Sequence, residues 1–313
     1  MKIRKTLIFI LVIILLACNS EDNTEPITDD PVLPVVNSIG ETNKIEIVTW
    51  NIERFPKTDI SDEYVKAIIV GLDADIFILQ EIQNRFSLSN MVDKMDDYNF
   101  FLKTNDTGLS MAILYKNSVV KLENSFVLLN EYKDYFASRP PLLTKVRWQN
   151  AGIIKQLSII NVHYKCCGDN YIEIGDDEDE EYRRLKASEV LEKYVAENLA
   201  SENVIIGGDF NDAIEEPGST NVFSPFLNKP TNYKFVDLDI ANGAATNWSW
   251  PGWNSSFSAI HFDHLLINNN LFDELRNATQ VEVIRLEEFF ENGFSDYDTH
   301  VSDHRPLYFK FTP

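Results

Sequence analysis

Short apolar runs alternate with amphipathic stretches along most of the chain from Lys44 onward. Apolar residues at helical spacing predict two helices, over 62–72 and 182–199. Strands are predicted at 45–50, 76–79, 111–115, 142–148, 157–162, 204–206, 262–267 and 307–311. The elements interleave without an internal repeat or a dinucleotide-type glycine loop. They therefore predict an α/β sandwich, in which two sheets pack together and helices lie outside. Periodicity leaves the strand order open.

The first 43 residues have a different pattern. Lys2, Arg4 and Lys5 precede an apolar run over 7–16, which is too short to span a membrane and is typical of a signal peptide. Leu15-Leu16-Ala17-Cys18 resembles the bacterial lipobox, in which the cysteine becomes the lipidated first residue. The alternative is an ordinary cleaved signal with an incidental cysteine. We expect a lipoprotein signal peptide over 1–17 and attachment to the cell envelope membrane through lipidated Cys18.

Residues 18–43 are rich in Asp, Glu, Thr, Pro and Asn and have little to bury, so they predict a flexible tether. Glu21 and Asp22 suit either a sorting signal to the outer surface or plain linker. A single domain is then expected over 44–313, since no second linker follows. We expect it to be a monomer.

The charge of the chain restricts its partners. The 313 residues carry a formal net charge of -21, and 44% of them are hydrophobic, which is enough for a sizeable core. Proteins that hold nucleic acid by charge alone are basic, because neutralised phosphates supply most non-specific affinity. Either the substrate is not a long polyanion, or bound cations and a local basic strip make the contact.

Polar residues recur at the ends of the predicted strands, where sites gather in open α/β sheets. Carboxylates are ligands for Mg²⁺, which bridges phosphate oxygens, and a histidine can take a proton from water at neutral pH. The pattern suits a hard divalent cation beside a phosphate. The residues are Asn51, Gln80, Glu81, Asn161, His163, Asp209, Asn211, Asp263, His264, Asp303 and His304.

Six segments resemble, in order, the motifs of the endonuclease/exonuclease/phosphatase superfamily, whose fold is deoxyribonuclease-like. They span about 45–311. GDFN followed by SDHRP is the specific pair, whereas one segment alone is a weak signal. The segments are TWNIERF (49–55), DIFILQE (75–81), NVH (161–163), GGDFND (207–212), FDH (262–264) and SDHRPL (302–307).

The resemblance implies a four-layer α/β sandwich, with two packed mixed sheets flanked by helices, and a role for each matched residue. Glu81 and Asp303 would hold the metal, and Asn51, Arg139 and Asn211 would bind substrate. Asp209 would position or deprotonate the attacking water, or protonate the leaving group. His163 would stabilise charge on the phosphate, and Asp263 would orient a second catalytic histidine, His304. Mg²⁺ is favoured, with Mn²⁺ or Ca²⁺ as alternatives, because zinc spacing is absent.

Each residue has an ordinary alternative when taken alone. Glu81 would then be a helix-start or surface residue, and Asn51 or Asn211 a turn residue. We take His261, His264 and His300 as structural.

Three features remain open. Cys166 and Cys167 suit a vicinal disulfide, two free thiols or a bond between molecules. The acidic run over 173–181 suits a solvated loop or a calcium site. The tryptophans of the loop NWSWPGWN suit stacking on a base or sugar, contact with lipid, or packing within the protein; they are Trp248, Trp250 and Trp253.

The favoured function is a metal-dependent phosphodiester hydrolase, an extracellular nuclease of low sequence specificity. Its contact with nucleic acid would rest on metal, Arg139, the Arg183-Arg184 pair and the tryptophan loop. The alternatives are a phosphatase or a phospholipase of sphingomyelinase-like type, favoured by the acidic charge and by Gln83 where a nuclease would carry a basic residue. A non-catalytic binding lipoprotein is the alternative of another class.

Overall fold

A computed structural model describes residues 31–105, 107–252, 258–276 and 279–313. The predicted signal peptide, Cys18 and the tether up to residue 30 lie outside the described residues. One compact unit runs from Leu33 to Pro313, so it begins before Lys44. Val36 is buried, and the Ile39 amide donates to the Leu72 carbonyl at 2.9 Å. Among the described residues, no helix has both the length and the apolar character needed to cross a membrane.

The strands of the described residues form two six-stranded mixed sheets, in the orders β11-β12-β1-β2-β4-β3 and β5-β6-β7-β8-β10-β9. Pairing is antiparallel except between β1 and β2 and between β7 and β8. The strands are β1 (Ile45–Phe55), β2 (Ile76–Ile82), β3 (Tyr98–Lys103), β4 (Ser110–Lys116), β5 (Val120–Val127), β6 (Leu142–Asn150), β7 (Ile153–His163), β8 (Val204–Asp209), β9 (Tyr233–Phe235), β10 (Asp263–Asn268), β11 (Gln280–Val283) and β12 (Leu307–Phe311).

Helices cover the outer face of each sheet. The α-helices are α1 (Ser61–Leu72), α2 (Arg85–Val92), α3 (Glu180–Asn198), α4 (Ser224–Leu227), α5 (Leu238–Ala241) and α6 (Phe294–His300). One core packs the first sheet against α1, α2 and α6, and another packs the second sheet against α3 and α4. A third core lies between the sheets and includes Ile47, Ile78, Ile159 and Ile205. The predicted four-layer sandwich is confirmed.

The alternation of side chains in β1 explains why this strand carries apolar residues on both of its faces. Ile45 and Ile47 belong to the core between the sheets, whereas Val48 and Trp50 belong to the core under the helices. Successive side chains of a strand point to opposite faces, so a strand covered on both faces supplies apolar residues to both cores.

Polar side chains also join the two sheets inside the sandwich. Gln80 Nε2 donates to Asn161 Oδ1 at 2.9 Å, and Asn161 Nδ2 donates to the carbonyls of Leu79 and Ala112. The Trp148 indole donates to Asp75 Oδ2 at 2.7 Å. Because buried polar groups need specific partners, these contacts fix how one sheet sits on the other.

The strands of the structure differ from the predicted strands in two ways. The strands β3, β5, β9 and β11 were not predicted, because they are short or partly exposed and lack a continuous apolar run. The predicted strands also extend further. Asn51, Glu81, His163 and Asp209 lie within β1, β2, β7 and β8 rather than after them.

His261 and His264, taken as structural, are fully buried around one carboxylate. Asp237 Oδ2 lies 2.7 Å from His264 Nδ1 and 3.1 Å from His261 Nε2. His264 Nε2 also lies 2.9 Å from the Asp212 carbonyl. Since both ring nitrogens of His264 face acceptors, this ring is an imidazolium. Burial opposes its charge, but the Asp237 carboxylate outweighs burial and raises the pKa of His264.

We expect Asp237→Asn to lower the free energy of unfolding by about 3 kcal/mol, because it removes one partner of a buried charge pair. Urea denaturation would measure this, with the exposed Asp239→Asn as the matched control. A raised histidine pKa adds stability that is complete below the unfolded pKa of about 6.5 and is lost as pH rises through the folded pKa. The decrease in the free energy of unfolding caused by Asp237→Asn should therefore be larger at about pH 5.5 than at about pH 9. Equal stability of the two variants would contradict this.

Candidate active site

Strand ends from both sheets meet at one cavity of ≈ 870 Å³. Asn51 and Asp263 lie behind its wall, hydrogen-bonded to residues that line it. The structure thus brings all nine predicted site residues to one place. The other seven line the cavity: Glu81, Arg139, His163, Asp209, Asn211, Asp303 and His304.

Asn51 joins the two sheets at the cavity. Its Nδ2 donates to Asp209 Oδ2 at 2.9 Å and to Glu81 Oε1 at 3.2 Å. Asn51 and Glu81 lie in neighbouring strands of one sheet, whereas Asp209 ends a strand of the other. The amide therefore sets the separation of the two carboxylates.

Asp209 is poised to change its protonation near neutral pH. Burial raises its pKa to about 7, and the nearby charges of Asp263 and Glu81 add to that effect. The His304 charge and the Asn51 hydrogen bond act in the opposite direction. A carboxyl group in this state can hold or accept a proton at physiological pH.

His304 forms a buried pair with Asp263. Its Nδ1 lies 2.7 Å from Asp263 Oδ2, and its Nε2 lies 3.9 Å from an oxygen of Asp209 and of Asp303. Burial alone would lower the pKa of His304, but these three carboxylates raise it well above its usual value. His304 is therefore positively charged, with Nε2 directed toward the cavity carboxylates.

The backbone of His304 is held from three sides. Its carbonyl accepts hydrogen bonds from the Trp50 indole at 3.1 Å and from the Tyr297 hydroxyl. Its amide donates to Ser302 Oγ, which donates in turn to the Asn51 carbonyl at 2.6 Å. These contacts tie the SDHRP segment to the end of β1.

His163 is neutral. Burial lowers its pKa well below the usual value, and the charges of Arg139 and His304 add to this. Its Nε2 lies 3.7 Å from an oxygen of Glu81 and of Asp209. Arg139, expected to contact phosphate, lines the cavity and donates to the carbonyls of His163, at 3.2 Å, and Tyr164.

The shape of the GGDFND segment depends on the backbone at Gly208 and Asn211. A Cβ atom on Gly208 would lie 1.9 Å from the Val162 carbonyl oxygen, so only glycine fits between β7 and β8 here. Asn211 adopts a left-handed backbone with φ 54°, and its amide donates to Asp209 Oδ1. The turn places the Asn211 side chain at the cavity, where Nδ2 lies 3.3 Å from the Tyr164 carbonyl.

The chemistry of the oxygen donors fits a hard divalent cation. Glu81 is part-exposed toward the cavity, and Asp303 lines it. Glu53, which the sequence reasoning missed, also lines it and accepts a hydrogen bond from the Asp303 amide. Burial and the charge of Asp303 raise the pKa of Glu53, and a bound cation would relieve that repulsion. Asp209, Asp263 and His304 also cluster, and the hydrogen bond between them uses Asp263 Oδ2 and His304 Nδ1.

The tryptophan loop contributes to the wall. Trp248 and Trp250 line the cavity, and Trp250 is buried with its indole donating to Asp303 Oδ2 at 3.1 Å. Of the alternatives left open, packing within the protein holds for Trp250. Trp253 lies outside the described residues.

The Arg183-Arg184 pair does not act as one basic surface, contrary to the prediction. Arg184 is buried in ion pairs with Asp212, at 2.7 Å, and Glu181. Arg183 donates to the Asp134 carbonyl elsewhere. Neighbouring helix residues face different directions, and this separates the two side chains.

The acidic run and the cysteines are also located. Residues 173–178 are exposed, and Asp179 caps α3 by accepting from the Tyr182 amide at 2.7 Å. The run is therefore largely a solvated loop that ends in a helix cap.

Cys166 and Cys167 are exposed free thiols that line the cavity.

Solved structures share the fold at low sequence identity. A humanized TDP2 from D. rerio is 17% identical with a TM-score of 0.62, over 87% of this chain and 100% of that one. TDP2 from D. rerio complexed with a single-strand DNA product is 17% identical with a TM-score of 0.61, over 86% of this chain and 99% of that one. An endonuclease/exonuclease/phosphatase family protein from Bacteroides thetaiotaomicron is 15% identical with a TM-score of 0.56, over 87% of this chain and 98% of that one. These likenesses support the fold alone.

Sequence comparisons identify the family. No curated protein matches the chain closely enough to count as a relative. The sequence profile described as "Endonuclease/Exonuclease/phosphatase family" matches residues 48–304, which include every predicted site residue. The chain therefore belongs to the endonuclease/exonuclease/phosphatase family, whose members are hydrolases that act on phosphoester bonds.

Proposed function

We propose that this protein is a magnesium-dependent phosphodiesterase, an extracellular nuclease that cleaves nucleic acid with low sequence specificity. The observation that carries the proposal is the position of Asp209, which lies between Asn51, neutral His163 and charged His304. The proposal also locates the enzyme at the cell envelope, anchored through lipidated Cys18.

In this proposal Asp209 accepts a proton from the attacking water, because its pKa of about 7 leaves much of it ionised at neutral pH. His304 donates from Nε2 to a phosphate oxygen, and Asp263 holds the ring in place through Nδ1. His163 and Asn211 donate further hydrogen bonds as charge develops on the phosphate.

Glu81 and Asp303 would hold the magnesium ion, with Glu53 close by. When bound, the ion supplies positive charge at the phosphate oxygens. Asn51 then orients Glu81 and Asp209 together, because its Nδ2 donates to both. The convergence of Asp209 with both histidines, whose Nε2 atoms lie 3.7 Å and 3.9 Å from its Oδ2, favours a catalytic site over a non-catalytic binding protein.

A nucleic-acid substrate is supported by the open cavity, its tryptophans and Arg139. One solved neighbour, TDP2 from D. rerio, is complexed with a single-strand DNA product. A phosphatase or phospholipase is the second candidate. It is favoured by the acidic lining of the cavity, in which the Glu215 carboxylate repels a polyanion.

We expect Asp209→Asn and His304→Ala each to lower turnover by at least ~10²-fold, the scale of a general acid or base. The wild-type rate should fall as pH drops below about 7, because Asp209 must be ionised to accept a proton. That limb of the pH–rate profile should be absent from the residual activity of Asp209→Asn. His300→Ala, which changes a histidine outside the cavity, is the matched control. A near-normal rate in folded His304→Ala would refute its assigned role.

We expect DNA and RNA to be cleaved with Mg²⁺, and the cleavage to stop with a chelator. Glu81→Gln should raise the Mg²⁺ concentration needed for half-maximal rate by at least ~10-fold, because it removes a charged ligand. The exposed Glu123→Gln should behave as wild type. The substrates tested also include phospholipid vesicles and phosphomonoesters. Turnover of those alone would favour a phosphatase or phospholipase over the nuclease. Activity that survives exhaustive chelation would exclude the metal role.

We expect Glu215→Lys to speed cleavage of polynucleotide several-fold at low salt and to steepen its salt dependence, because it replaces repulsion by attraction near the phosphates. Cleavage of bis(4-nitrophenyl) phosphate, which has a single charge, should stay unchanged. Glu123→Lys gives the same change of net charge away from the cavity and serves as the control. An equal response of the two variants would mean that the cavity lining does not set the preference.

A further inference from the structure

Two adjacent thiols lie in the wall of the cavity, in the segment between β7 and α3. Cys166 Sγ and Cys167 Sγ are 2.8 Å apart, and both side chains are exposed. They line the same cavity as His163, which precedes Cys166 by three residues. A small reagent that enters the cavity can therefore reach both sulfurs.

The local backbone sets this arrangement. Successive side chains of an extended segment point to opposite sides, but Cys167 has a left-handed φ of 73° and Gly168 one of 112°. The turn at these residues directs the two sulfur atoms to the same side. A left-handed cysteine is uncommon, so the pairing needs this particular turn.

The same segment supplies hydrogen-bond acceptors to two buried arginines. Arg184 Nη1 donates to the Lys165 carbonyl at 2.8 Å and to the Cys167 carbonyl at 2.7 Å. Arg139 donates to the Tyr164 carbonyl. A change of backbone at the two cysteines therefore reaches side chains that line the cavity beside His163 and Asp209.

We propose that Cys166 and Cys167 form a redox modification site, in which a small-molecule disulfide converts the two thiols into a vicinal disulfide and thereby slows turnover. The inference about the thiols is independent of the substrate. Only its effect on rate uses the proposed function.

The exchange takes two steps that balance. The Cys166 thiolate attacks the reagent disulfide, forms a mixed disulfide and releases one reagent thiolate, which takes a proton. The Cys167 thiolate then attacks the Cys166 sulfur, closes the ring and releases the second reagent thiol. The protein loses two hydrogen atoms and two electrons, and the reagent disulfide is reduced to two thiols.

Cys166 is the first nucleophile. Partial desolvation in the cavity wall raises the pKa of the Cys167 thiol to about 11, and the Cys166 thiol adds to this. The Lys165 ammonium donates to Cys166 Sγ at 4.0 Å, so a cation faces the sulfur that attacks first.

Ring closure must move the backbone. Adjacent Cα atoms lie about 3.8 Å apart across a trans peptide, whereas disulfide-bonded residues usually have Cα atoms about 4.4–6.8 Å apart. The strain falls on the peptide units that carry the carbonyls of Lys165 and Cys167. It also makes the bond easy to reduce, which suits a reversible modification.

The test treats the full chain with glutathione disulfide and follows intact mass and the rate on bis(4-nitrophenyl) phosphate. We expect the loss of two hydrogens, a rate lower by at least ~10-fold because cavity groups are displaced, and recovery with dithiothreitol. Trypsin releases both cysteines in one peptide, residues 166–183, which localises the bond. Cys167→Ser should stop at the mixed disulfide. Cys166→Ser with Cys167→Ser should keep the untreated rate and show no change with oxidant.

Each other result counts against the proposal. A stable mixed disulfide within residues 166–183 of the wild type, or a dimer linked through those residues, would exclude the vicinal bond. A vicinal bond with an unchanged rate would exclude control of turnover. If the untreated chain cleaves no phosphodiester, the mass readout still decides the thiol chemistry, so failure of the proposed function is separable.

Discussion

The hydrogen bond from Asn51 to Asp209 is the contact on which the site depends. It joins the end of a strand in one sheet to the end of a strand in the other, and the same amide also holds Glu81. The two sheets otherwise meet through apolar side chains and a few buried polar contacts, such as Gln80 with Asn161. Dispersion and burial set the spacing of the sheets but have little direction. The polar contacts give the interface its register, and the cavity exists because that register brings the strand ends together.

Adjacent residues of β10 serve two buried carboxylate–imidazolium pairs. Asp263 pairs with His304 at the cavity, whereas His264 pairs with Asp237 in the interior. Successive strand residues face opposite sides, so one dipeptide supports the chemistry with one side chain and the fold with the other. His264 also contacts the Asp212 carbonyl of the GGDFND segment. The interior pair therefore stabilises the backbone that carries Asp209.

The low dielectric of the site explains how its groups differ in charge. Burial opposes ionisation of Asp209, His163 and His304 alike, but their neighbours differ. His304 is surrounded by carboxylates and is charged, whereas burial, with the charges of Arg139 and His304, keeps His163 neutral. Asp209 has neighbours of both signs, and its pKa is about 7. Two histidines of the same type thus acquire different protonation states from their surroundings, which acid–base chemistry requires.

The sequence by itself determined the class of fold, the family and the set of groups that meet at the cavity. It could do so because the motifs are short and local, and each adjoins or overlaps a strand whose apolar run is visible. It could not reveal that Glu53, Trp250 and Tyr297 contact Asp303 and His304, because these contacts join distant parts of the chain or depend on the local fold. It also paired Arg183 with Arg184, although only packing against Asp212 decides that Arg184 is buried. Tertiary structure decided charge states and partners, because a pKa or a hydrogen bond depends on which groups meet in space and how little water remains between them.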